Sequence, residues 1–149
     1  MLCKDLMKIE VECVSPQTSV QDAACRMRDR NIGFLPVCDS TGRVLGTVTD
    51  RDIAIRFVAE DGFASDEIEG IYTDEVIACR PEDDVGYARE MMSQNQKSRI
   101  MCVDPTGRLR GVISLSDIVE LDEQAGAATL RDVSARENRA GENRLGATM

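Results

Sequence analysis

Gly46-Thr47-Val48-Thr49-Asp50-Arg51-Asp52-Ile53 and Gly111-Val112-Ile113-Ser114-Leu115-Ser116-Asp117-Ile118 are two versions of one pattern. Each runs from a glycine through an apolar strand end to a hydroxyl residue, with a carboxylate three positions further on: G-x-h-[ST]-x-x-D-I, where h is apolar. A hydroxyl and a carboxylate at that spacing form a helix-capping box, in which the two side chains satisfy orphan backbone N–H groups. The same geometry has a second use. At the mouth of a strand-to-helix turn, a carboxylate can accept both hydroxyls of a ribose, and the exposed N–H groups of the helix start favour a nearby anion. Spacing alone leaves both readings open.

The two copies lie 65 residues apart, and the repeat extends well beyond them. Across residues 10–53 and 75–118, thirteen of 44 ungapped positions are identical, including Pro16 with Pro81, Met27 with Met92, and Asp39, Thr41, Gly42, Arg43 with Asp104, Thr106, Gly107, Arg108. Each copy opens with a short apolar stretch, residues 11–14 or 76–79. A proline and a polar helix start follow, Thr18-Ser19 or Glu82-Asp83-Asp84. Apolar residues then recur at Val20, Ala23, Ala24, Met27 and at Val85, Ala88, Met92, which is one helical face. Two apolar runs around Asp39-Ser40-Thr41-Gly42 or Asp104-Pro105-Thr106-Gly107 predict a hairpin. A second helix begins at Thr49 or Ser114. The unit is β-α-β-β-α, twice, an α+β fold of two pseudo-symmetric repeats. Contiguous boundaries follow: residues 1–62 for the first repeat, 63–123 for the second, and 124–149 as a polar tail, helical or disordered. Residues 59–70, acidic with two glycines, read as a linker or helix terminus.

Composition narrows the chemistry. The chain of 149 residues has 18 basic and 27 acidic side chains, a net charge of −9, and no histidine. Histidine-based nucleophile pairs, general bases and Cys/His zinc sites are therefore excluded, and no nucleophile-and-base pair suggests an enzyme. The acidic balance argues against nucleic acid as a partner. No apolar run is long enough to span a bilayer, and the charged start Met1-Leu2-Cys3-Lys4-Asp5 does not resemble a secretion signal, so no membrane association and a cytoplasmic location are expected.

The doubled unit, the Leu35-Pro36-Val37 strand start, the Asp-x-x-Gly hairpins and the two G-x-h-[ST]-x-x-D-I motifs resemble a tandem of cystathionine-β-synthase (CBS) domains, a Bateman module. The resemblance covers residues 4–123. It implies a regulatory module that binds adenosyl ligands (AMP, ATP or S-adenosylmethionine) in clefts between the repeats, requires no cofactor beyond that regulatory ligand, pairs into a homodimer and signals to a protein partner that the chain does not reveal. Carried over residue by residue, Thr49 and Asp52 would hold the ribose, Ile77 and Ala78 would line the base, and Arg99 would meet the phosphate. The second cleft would use Ser114 and Asp117 with residues 11–13, and the position matching Arg99 is Phe34, so the phosphate partner is missing there; Arg51 and Lys97 are either substitute cations or solvated surface charges. The Asp52 cleft is thus expected to take the charged nucleotide, and the Asp117 cleft to be empty, weak or suited to a nucleoside.

Six cysteines form a second layer. Strands one and two of each repeat should be neighbours through a right-handed crossover, placing Cys13 near Cys38 and Cys79 near Cys102. Small buried thiols packing as apolar residues is one reading, and a disulfide or redox switch across Cys13 and Cys38 is the other. Cys3 and Cys25 have no obvious partner. The competing function is accordingly a structural or redox-responsive dimer that binds no nucleotide.

Overall fold

The computed structural model describes residues 1–146, with side-chain surroundings through residue 135. In the first repeat, helix α2 (Val20–Arg30) begins where Ser19 Oγ accepts the Asp22 N–H at 3.0 Å, and it ends at Asn31 in the left-handed region, φ 52°. Strands β1 (Phe34–Cys38) and β2 (Val44–Thr49) pair antiparallel as a hairpin, turned at Gly42, whose φ of 87° suits glycine. Helix α3 (Asp50–Asp52) follows at once and widens into a π-helical segment, Ile53–Val58. The second repeat reproduces the order: β3 (Ala78–Cys79), α4 (Val85–Asn95), β4 (Arg99–Val103), β5 (Leu109–Ser114) and α5 (Leu115–Leu121). Here Asp84 caps α4 through the Gly86 N–H, Gln96 closes it at φ 53°, and Gly107 turns the hairpin at φ 86°. The expected α+β repeats are both present. The leading strand is shorter than expected, a single parallel bridge Val14–Val37 in repeat one and a two-residue β3 paired in parallel with β4 in repeat two.

The structure divides into two compact units that interleave in sequence. One unit joins Met1–Glu10 to Ile77–Asp104 and the chain from Arg110 on; the other comprises Val11–Val76 and Pro105–Leu109. Each repeat therefore packs with the segment that precedes the other. In the first unit, α1 (Cys3–Leu6) is tied down by Cys3 N–H to Asp83 O at 2.8 Å, and Lys8 bridges Val112. In the second, a 3-10 turn at Ile68–Gly70 bonds to Thr18 O through the Ile68 N–H at 2.9 Å, and Thr73 bridges Thr47. Lys8 and Thr73 are themselves 65 apart, so the repeat includes these exchanged segments.

The exchange explains the motif's glycine. A side chain at Gly46 would strike the Thr73 carbonyl, and one at Gly111 would lie 2.9 Å from the Lys8 carbonyl, so only glycine lets the incoming segment lie against the strand. It also corrects the linker reading of residues 59–70 at Ile68, while residues 59–61 do form the helix terminus after Val58. Ile68 is 0% exposed and joins a core of Val14, Val20, Ala23, Met27, Leu35, Val37, Val48, Phe57 and Ile71. The other unit buries Cys3, Cys79, Val85, Ala88, Met92, Ile100, Cys102, Ile113 and Ile118. Ala24, expected on the apolar face of α2, is exposed.

Helix α6 (Glu123–Gly146) packs against α4 and α5, with Thr129 and Val133 buried; residues 147–149 of the expected tail lie outside the described residues. Thr129 hides its hydroxyl by donating to the Ala125 carbonyl at 2.9 Å. Among the described residues, no helix is long and apolar enough to cross a membrane.

Candidate functional site

Both repeated motifs close capping boxes. At the start of α3, the Thr49 N–H donates to Asp52 Oδ2 at 2.9 Å, and the Asp52 N–H donates to Thr49 Oγ1 at 3.1 Å. At the start of α5, Asp117 Oδ2 accepts the Ser114 N–H and hydroxyl, each at 2.8 Å, and the Asp117 N–H returns to Ser114 Oγ at 3.2 Å. The capping reading is thus realised twice, yet it does not exhaust either carboxylate. In each, one oxygen serves the cap. The other, Oδ1, takes no part in it, and a carboxylate oxygen has two acceptor positions.

What holds Oδ1 differs between the copies. Lys8 Nζ sits 3.2 Å from Asp117 Oδ1, whereas Arg56 Nε lies 3.8 Å from Asp52 Oδ1. The side chains of both carboxylates are well covered, 12% exposed for Asp52 and 7% for Asp117. Burial would push the Asp117 carboxyl up, but the Ser114 hydrogen bonds and the Lys8 ammonium outweigh it and hold the group below the ordinary carboxylate range. The Asp117 charge is therefore already answered by a close ammonium, and that of Asp52 more loosely. A vicinal diol meeting these groups would have to displace less at Asp52.

The remaining expected residues fall out by unit. Thr49, Arg51 and Asp52 belong to the unit containing residues 11–13, with Arg51 exposed. Ile77, Ala78, Arg99, Ser114 and Asp117 belong to the other. Within that unit, the Leu115 N–H donates to the Ser98 carbonyl at 2.8 Å, so the residue just ahead of Arg99 is bonded to the start of α5. The structure thus brings Thr49 together with Asp52 and Ser114 together with Asp117, while Ile77, Ala78 and Arg99 share a unit with the second pair rather than the first. Lys8 and Arg56 were not identified from sequence. Arg56 could have been found, four residues after Asp52 on a predicted helix; Lys8 could not, because it reaches Asp117 only through the exchanged segment.

The cysteines are brought together as strand adjacency predicts. Cys38 Sγ lies 2.9 Å from Cys13 Sγ, and Cys79 Sγ lies 3.4 Å from Cys102 Sγ. Cys3 is not isolated, its thiol lying 3.7 Å from Cys79. All six cysteines are free thiols. Among the described residues, no group of three or more His, Cys, Asp or Glu side chains is arranged to hold a metal ion.

Comparison with known proteins agrees with this architecture. The CBS domain family model matches residues 3–59 and again 67–123. The CBS domain-containing protein YhcV of Bacillus subtilis is 30% identical over 88% of this chain and 94% of its own length, and protein YlbB of the same organism is 33% identical over 91% and 93%. Among solved structures, the CBS domain pair of protein MJ0100 in complex with 5'-methylthioadenosine and S-adenosyl-L-methionine superposes with a TM-score of 0.73 at 29% identity, covering 81% of this chain and 94% of that one. With the exchanged segments, two capping boxes and paired hairpins in register at one spacing, the chain belongs to the CBS domain family, as a tandem pair.

Proposed function

We propose that this protein is a regulatory module that binds an adenosyl ligand of the AMP, ATP or S-adenosylmethionine class and passes the bound state to a protein partner. The observation that carries the reading is the second oxygen of Asp52: held at a helix start, outside the capping box, with Arg56 Nε no nearer than 3.8 Å, it can accept the two hydroxyls of a ribose. Thr49 fixes the carboxylate that does this, and the exposed Arg51, in the same unit, is the cation we assign to a ligand's anionic end there. Ile77, Ala78 and Arg99, all half-buried, share a unit with Ser114 and Asp117 and are assigned to the base and the anionic end of an adenosyl ligand. Ser114 and Asp117 form a second, weaker diol site, because Lys8 already occupies the corresponding oxygen. The related CBS pair bound to 5'-methylthioadenosine and S-adenosyl-L-methionine supports the ligand class. The homodimer implied by the resemblance belongs to the same proposal, as does the absence of catalysis.

A thermal-shift panel of AMP, ADP, ATP, S-adenosylmethionine and NADH tests the reading. A ligand that binds only the folded state at about 100 times its Kd adds about 2.7 kcal/mol, which for a chain of this size raises Tm by roughly 5–10 °C. At least one adenosyl compound should do so. A flat panel contradicts the proposal and favours the structural or redox-responsive alternative.

A further inference from the structure

The two thiol pairs occupy different surroundings, and the difference points to chemistry at only one of them. Cys79 and Cys102 face each other directly across β3 and β4, are 3% and 0% exposed, and belong to the apolar core of their unit. Cys13 and Cys38 lie one residue to either side of the Val14–Val37 bridge, on the opposite face from those core valines. Cys13 is half-buried rather than buried, so a small solute can reach it, and Cys38 is covered behind it. The sulfurs are 2.9 Å apart without a bond between them; a disulfide of ~2.0 Å requires a closure of about 0.9 Å, against about 1.4 Å for the core pair.

We propose that Cys13 and Cys38 are a reversible oxidation site that forms an intramolecular disulfide when the chain meets a peroxide, while Cys79 and Cys102 stay reduced. The order of events follows from the hydrogen bond between them. The Cys38 thiol donates to Cys13, which favours the Cys13 thiolate despite its partial burial, while the same bond, together with burial, keeps Cys38 protonated. The Cys13 thiolate attacks hydrogen peroxide, breaking the O–O bond; its sulfur gains one oxygen as sulfenic acid, and hydroxide leaves. The Cys38 sulfur then attacks the Cys13 sulfur. The S–S bond forms, the S–O bond breaks, and the Cys38 proton leaves with the oxygen as water. Overall, two thiols and one peroxide give one disulfide and two waters. A dithiol reductant reverses it by exchange. The hydrogen bond with Cys102 and burial both push the Cys79 thiol up, and the core pair, 3% and 0% exposed, gives peroxide no access. None of this depends on whether the protein binds a nucleotide.

The test uses the full chain, reduced and then exposed to a small excess of hydrogen peroxide. Intact mass should fall by two hydrogens, the loss should return on treatment with dithiothreitol, and peptide mapping should show Cys13 joined to Cys38 with Cys79 and Cys102 still open to alkylation after unfolding. In Cys38→Ser, dimedone should label Cys13, and in Cys13→Ser it should not label Cys38, with far-UV circular dichroism confirming that each variant is folded. If Cys13 and Cys38 remain alkylatable after peroxide, or the cross-link maps to Cys79–Cys102 or between two chains, the proposal fails. The unsubstituted chain decides this even if a variant does not fold.

Discussion

Replacing Ile68 with alanine tests whether the segment leading into the second repeat is part of the first repeat's core. Ile68 is 0% exposed and lies among Val14, Val20, Leu35 and Phe57, although its sequence neighbours Glu67 and Glu69 are acidic and exposed. Ile68→Ala removes three carbon atoms. At roughly 0.8 kcal/mol each, the lost transfer energy is about 2.4 kcal/mol, and the cavity left in a packed core raises the total to about 3–4 kcal/mol. For a chain of this length, that lowers Tm by roughly 6–16 °C. Urea unfolding followed by circular dichroism measures it, with Glu69→Ala as the matched control, expected within about 0.5 kcal/mol of the unsubstituted protein. An Ile68→Ala stability within that same margin would mean that residues 59–70 are a linker after all, and the interleaved units would have to be abandoned.

Two further predictions concern the carboxylates. In an Asp52→Ala background, which isolates the second diol site, Lys8→Ala should tighten adenosine binding up to about fivefold, since an ion pair with so exposed a lysine is worth about 0–1 kcal/mol; unchanged or weaker binding by calorimetry contradicts the competition. Asp117 is held below its unfolded value of about 3.9, so its ionised form stabilises the fold above that pH, and the contribution is lost as pH falls through the lower folded value. The urea-midpoint difference between the unsubstituted protein and Asp117→Asn should therefore shrink from about pH 6 to about pH 3, and a constant difference would show that the carboxylate's charge is not responsible.

Much of this architecture is legible in local patterns because local contacts produce it. The helix faces at Val20, Ala23 and Met27, the glycine-turned hairpins and the capping boxes at Thr49–Asp52 and Ser114–Asp117 each depend on residues within a few positions of one another. Ala24 was misplaced because a three-residue stripe suffices on so thin a helix face. The exchange of leading segments was not legible: the bridge from Lys8 to Val112 spans most of the chain, and a single isoleucine among acids gives no period to detect. The cation on Asp117 was hidden for the same reason. The packing of α6 rests on Thr129 and Val133, and two anchors in a polar stretch look like solvent-exposed chain until the neighbouring helices are known. The grouping of Arg99 with Ser114 follows from the tertiary fold, which the order of residues in a tandem repeat leaves open.

The central claim is that the Asp52 carboxylate, outside its capping role, receives the ligand's ribose. Titration calorimetry of AMP against Asp52→Ala and Asp117→Ala tests it most directly, because both substitutions remove the N3 carboxylate of an equivalent capping box. Hydrogen bonds to a charged group are worth about 1.5–3 kcal/mol, so Asp52→Ala should weaken AMP roughly 10- to 150-fold while Asp117→Ala changes it by less than about threefold. Equal losses, or a loss confined to Asp117→Ala, would contradict the account.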